Sequence, residues 1–151
     1  MRITISSKVP SVDEKTTIID AKGLILGRMA SVVAKRLLNG EKIIIVNAKD
    51  AVISGKRLSV IQKMHDFLQI GHPKKGPLHP RRPETIVKRA IRGMLPYKTP
   101  RGKKAFKRLR VYMSVPEELK SKPAETIPEA DVNRLKGRYI TIGEIARLIQ
   151  G

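Results

Sequence analysis

The sequence has no cysteine, no tryptophan and, with three Tyr and two Phe, few aromatic residues of any kind. Without cysteine there is no disulfide, no thiolate metal site and no cysteine nucleophile. Phe67, Tyr97, Phe106, Tyr112 and Tyr139 are the whole aromatic complement, which disfavours single-stranded RNA binding on an extended stacking platform. Long apolar runs are missing too: no window approaches the roughly 18 apolar residues of a membrane span, and the N-terminal MRITISSKVPSVDEK lacks the apolar centre of a signal peptide. A soluble, intracellular protein is expected. Acids are scarce, at 13 Asp and Glu against 32 Lys and Arg, for a formal net charge of +19. Asp20, Asp50, Asp66 and Glu84 stand alone in sequence, and no spacing selects a catalytic pair. His65, His72 and His79 have no neighbouring ligand pattern, so no metal site and no cofactor is expected.

Cations, by contrast, are concentrated. From His72 to Arg110 the chain carries fourteen Lys or Arg against one acid, Glu84, together with six of its ten prolines. Pro and Gly at this density rule out one continuous helix and favour extended or turning backbone between short helical pieces. So many uninterleaved cations repel one another unless a polyanion neutralises them, which points to nucleic acid. No helix-turn-helix or zinc pattern directs that reading to DNA.

The remaining sequence reads as a folded α/β protein in a single domain over residues 1–151, with a core over about 16–113, the basic segment at 72–110 and a C-terminal loop and helix at 114–151. Residues 1–15 lack periodicity and read as a loosely held arm. Thr16-Thr17-Ile18-Ile19-Asp20 reads as a buried strand, and Met29, Ala30, Val33, Ala34 and Leu37 follow helical spacing up to the stop at Asn39-Gly40. Ile43-Ile44-Ile45-Val46 is the continuous apolar run of a central strand covered on both faces. A short extended piece at Ala51-Val52-Ile53 precedes a helix over about 56–70 with Leu58, Ile61, Met64 or His65, and Leu68 inward. This alternation argues for parallel βαβ units. Pro83 opens a helix whose apolar face is Ile86, Val87, Ala90, Ile91 and Met94; a short helix over about 101–107 follows, then a strand through Leu109, Val111 and Met113. Residues 114–133 read as surface loop, and Thr141-Ile142-Gly143-Glu144 as a capping box opening a final helix.

Two glycine patterns invite a nucleotide reading. Gly23-Leu24-Ile25-Leu26-Gly27 lies between strand and helix but lacks the dinucleotide spacing, and a tight packing turn accounts for it. Ser54-Gly55-Lys56-Arg57 resembles the end of a phosphate-binding loop but has Arg57 where a magnesium-binding hydroxyl belongs. A nucleotide-dependent small α/β enzyme is thus an alternative that rests on fold class alone.

Three stretches occur in order: DAKGLILGRMASVVAKRLLNG at 20–40, IVNAKDAVISGKR at 45–57 and RAIRGMLPYKTPRGKKAFKRLRVY at 89–112. They resemble the universal large-subunit ribosomal protein of the thirteenth family, GMLP followed by the basic run and RLRVY being the most specific piece. HPKKGPLHPRRP, MSVPEEL and the short C-terminus resemble an archaeal member. The resemblance implies a three-layer α/β/α domain around a four-stranded, mainly parallel sheet with basic loop extensions. It also implies a structural, non-catalytic role in the cytoplasm, in the large ribosomal subunit, with 23S-type rRNA and neighbouring ribosomal proteins as partners. Neither a membrane nor a small-molecule substrate belongs to that reading. The expected RNA-binding residues are Arg28, Lys56, Arg57, Lys74, Lys75, Arg81, Arg82, Lys88, Arg89, Arg92, Lys98, Arg101, Lys103, Lys104, Lys107 and Arg108. Arginines 81, 82, 89, 92, 101 and 108 are the chosen anchors, because a guanidinium forks onto phosphate and stacks on bases.

Overall fold

The computed structural model describes residues 16–69, 82–120, 122–134 and 137–150. The expected N-terminal arm, Lys74, Lys75 and Arg81 lie outside the described residues, as do His72 and His79. Among those described, no helix is long and apolar enough to cross a membrane.

The centre is a parallel sheet in the order β1 (Thr16–Asp20), β2 (Lys42–Val46), β4 (Leu109–Val111). Between the first two strands runs α1 (Leu26–Leu38), the crossover that a parallel pair requires. Its inward residues are the five the spacing selects, Met29, Ala30, Val33, Ala34 and Leu37, and it ends at Asn39 and Gly40, whose φ of +100° stops the helix. On β2 alternate residues face opposite ways. Ile43 and Ile45 join Ile19, Leu109 and the inner faces of α1, α3 (Pro83–Gly93) and α4 (Pro100–Lys107) in the largest cluster. Ile44 and Val46 join Ile18 and Leu119 in a second, with Tyr112 and Val115 against it.

This sheet has three strands, where four are expected from the resemblance. The extended piece at β3 (Val52–Ser54) instead pairs antiparallel with β5 (Tyr139–Thr141), a strand too short to leave a periodic signal. On the second face of the sheet, the single 3-10 turn at Glu117–Leu119 places Leu119 against Ile18, Ile44 and Val46. Helix α2 (Arg57–Gln69) and helix α5 (Ile142–Gln150) build a third cluster, with Val60, Ile61 and Met64 packed on Ile140 and Ile145. Leu58, expected inward, is 79% exposed, since it lies on the first turn of α2, before the face that meets β5. His65 is exposed as well, and the side chain of Leu68 lies outside the described set.

The segment expected to be surface loop is largely packed. Leu119, Ile127 and Ala130 are buried, and the backbone of Glu125 bonds to Ile18 and Asp20 on the outer edge of β1. An open edge is thereby closed. Arg36 reinforces the closure, donating to Glu41 at 2.8 Å and to Glu125 at 3.3 Å.

Candidate nucleic-acid interface

Helices α3 and α4 carry the described part of the basic segment, and each is fixed by its own sequence. In α3, Arg82 is the extended N-cap residue and Pro83 the first helical one, where its missing N–H costs nothing. Glu84, the one acid of the segment, occupies the first turn, where the positive end of the helix favours a carboxylate. Its Oε1 is buried without a hydrogen-bond partner among the described residues. Ile86, Val87 and Ile91 are buried and pin α3 to α1. The helix stops at Gly93, so Met94, expected on the apolar face, is exposed, and Leu95 takes the buried place.

The turn from Met94 to Thr99 is held from several sides. The Pro96 carbonyl accepts from the Thr99 amide at 3.0 Å and from the Thr99 hydroxyl at 2.7 Å. Thr99 Oγ1 in turn accepts from the Gly102 amide at 3.2 Å, capping α4, and Pro100 follows as its first residue. Gly102 is pressed so closely on the Pro96 carbonyl that a β-carbon there would overlap it.

Two aromatic rings, passed over at the sequence level because aromatics are so few, join the helices. Tyr97 and Phe106 meet edge to face with centroids 5.4 Å apart. The Arg92 guanidinium lies 4.2 Å from the centre of the Tyr97 ring, and the Lys88 ammonium 5.3 Å from that of Phe106. Tyr97 could have been singled out by its place between the GMLP motif and Lys98. Beside it opens a cleft of about 550 Å³, lined by Arg89, Arg92, Gly93, Leu95, Pro96, Tyr97, Lys98 and Thr99.

Arg82, Arg89, Arg92, Lys98, Arg101, Lys103, Lys104 and Lys107 are exposed on these two helices and their turn, while Lys88 is half-buried. Three other expected cations stand apart. Arg28 is exposed on the first turn of α1, Lys56 precedes α2, and Arg57 donates to Glu144 of α5 at 2.8 Å. Arg108 is half-buried and donates at 2.8 Å to the Leu37 carbonyl at the C-terminus of α1, which also accepts from the Gly40 amide at 3.1 Å. Its first task is therefore in the fold. Glu41, Glu117, Glu125 and Glu144, which form ion pairs, all lie outside the α3–α4 face. Arg110, exposed on β4 and not among the expected residues, adds a further cation.

The nucleotide reading finds little room. The amides of Gly23, Leu24 and Ile25, which a phosphate at this turn would need, already donate to the carbonyls of Asp50, Ala21 and Ala130.

Residues 14–118 match the family model described as Ribosomal protein L13. The chain is 44% identical over 151 residues to the large ribosomal subunit protein uL13 of Archaeoglobus fulgidus, covering 99% of this chain and 97% of that one. It is 48% identical over 141 residues to the protein of the same name from Methanopyrus kandleri, covering 91% and 88%, and 51% identical over 133 residues to that of Methanosarcina barkeri, covering 87% and 95%. The C-terminal stretch beyond the family model is thus shared with the Archaeoglobus protein.

Proposed function

The chain belongs to the ribosomal protein L13 family, and from that membership we propose that it is a structural, non-catalytic component of the large ribosomal subunit that holds 23S-type rRNA through the α3–α4 face. The observation that carries the assignment of the face is the charge of residues 82–110: eleven Lys or Arg against Glu84, seven of them on α3 and α4, whose apolar sides are buried. With the apolar stripes committed to the core, the cations are presented outward on a fixed frame, and binding need not order them first.

Arg92, Lys98, Arg101, Lys103, Lys104 and Lys107 form the centre of the contact, with Arg82, Lys88 and Arg89 beside them. Lys74, Lys75 and Arg81 continue the basic segment in sequence, Arg28, Lys56 and Arg57 would make separate contacts away from this face, and Arg108 serves the fold first. One domain over residues 1–151 is supported by the largest cluster, which draws side chains from Ile19 through Ile142. Neighbouring ribosomal proteins and a cytoplasmic ribosome complete the setting.

The test is co-sedimentation of the tagged full chain with ribosomal particles, with and without RNase. The protein should travel with the large subunit and be released when the rRNA is digested. Unaltered migration after complete digestion would contradict attachment through RNA.

A further inference from the structure

Resting on the RNA-binding reading, we infer that the cleft beside Tyr97 is a subsite for one unstacked nucleobase, so that part of the contact reads RNA structure and not only its charge. A face that merely neutralised phosphates would need cations on a surface of any shape. Here the cleft is about 550 Å³, within the range of about 300 to 1,000 Å³ of small-molecule sites. Leu95, Pro96 and Tyr97 give it apolar walls, and Arg92 and Lys98 are exposed at its rim.

A planar cation already rests on an aromatic ring at this place, with the Arg92 guanidinium 4.2 Å from the Tyr97 centroid. A guanidinium held over the ring is itself a plane on which an unpaired RNA base can stack, while its charge stays available to the adjoining phosphate. Its position is set in advance. Phe106 buttresses Tyr97 from α4, and the Thr99 and Gly102 contacts to the Pro96 carbonyl fix the turn that carries the ring. Duplex RNA presents no free base face, so the ligand is a bulged or looped-out nucleotide beside a paired backbone.

The test uses three hairpin RNAs that differ at one place: a single bulged adenosine, the same bulge made abasic, and the fully paired counterpart. Binding of the full chain is measured at several salt concentrations. Wild type should bind the adenosine bulge about tenfold more tightly than the other two, near the lower end of what one stacked base contributes. Arg92→Lys keeps the charge but not the plane. It should bind all three hairpins alike while the steep salt dependence persists. Tyr97→Phe retains the ring and should retain the preference, whereas Tyr97→Leu should lose it; thermal unfolding checks that each variant is folded. Should Tyr97→Leu fail to fold, Arg92→Lys against wild type decides alone. Equal binding of the three hairpins by wild type, or a preference undiminished in Arg92→Lys, would overturn the subsite while leaving the salt-dependent RNA contact standing. A flat salt response with every hairpin would overturn both.

Discussion

A β-carbon on Gly102 would overlap the Pro96 carbonyl, which also accepts two hydrogen bonds from Thr99. Gly102→Ala is therefore expected to displace the turn and to destabilise the protein by about 1–3 kcal/mol, the usual cost of overpacking, read from the urea midpoint. An unchanged midpoint would mean that the turn is not held as described. Arg108 and Arg101 make a second contrast. Both are arginines of the same basic run, yet Arg108 donates to the Leu37 carbonyl at the end of α1 and Arg101 is exposed. Arg108→Ala should cost about 1–2 kcal/mol of stability, because it removes a charge-assisted hydrogen bond from a helix C-terminus. Arg101→Ala should shift stability by less than about 0.5 kcal/mol and lower RNA affinity instead. Sequence alone places both in one cationic stretch. Nothing local marks which guanidinium faces a carbonyl 71 positions away.

Helices α1 and α3 were legible because their apolar residues recur on one face and tertiary packing uses that same face. Strand β2 was legible because four apolar residues in a row suit a strand covered on both sides. The edge closure through Glu125, the burial of Leu119 and Ile127, and strand β5 were not, since isolated apolar residues in a Pro- and Glu-rich segment have no period to read. The final helix shows a capping motif half kept. Thr141 Oγ1 accepts from the Glu144 amide at 3.2 Å, but the Glu144 carboxylate turns to Arg57 instead of closing the box.

At the junction of α1 and β2, the hydrogen bond from Arg36 holds the Glu41 carboxyl below the ordinary glutamate range, against the opposing effect of its burial. The folded state thus binds this proton less readily than the unfolded chain. The contribution is complete above the unfolded pKa and is lost as pH falls through the folded one. Glu41→Gln should accordingly lose less stability than wild type between neutral and acidic pH. With side chains 26% and 35% exposed, the difference should stay within about 1 kcal/mol. Urea midpoints at the two pH values measure it, and parallel losses in both proteins would contradict the assignment.

Over the whole molecule, charge is unevenly spread. Residues 82–110 hold eleven cations and one acid, whereas residues 111–134 hold five acids and three cations, and part of that second segment lies on the sheet. A protein built around a nucleotide site would gain about 2.7 kcal/mol from a ligand at a hundred times its dissociation constant. Titration with ATP, GTP or NAD should give no saturable gain in stability. A polyanion contact should instead weaken steeply with salt, by about 0.7–0.9 in log affinity per log salt for each phosphate neutralised.

The most direct test compares two fourfold variants of equal charge in binding large-subunit rRNA across a salt series. One replaces Arg92, Lys98, Arg101 and Lys104, exposed on the α3–α4 face, with Gln; the other replaces Lys22, Lys35, Lys63 and Lys122, exposed elsewhere. The first should weaken binding strongly and reduce the salt slope by about 3, while the second should stay close to wild type. Equal losses of affinity and slope in the two variants would show that binding follows net charge alone, and would contradict the assignment of the α3–α4 face as the RNA contact.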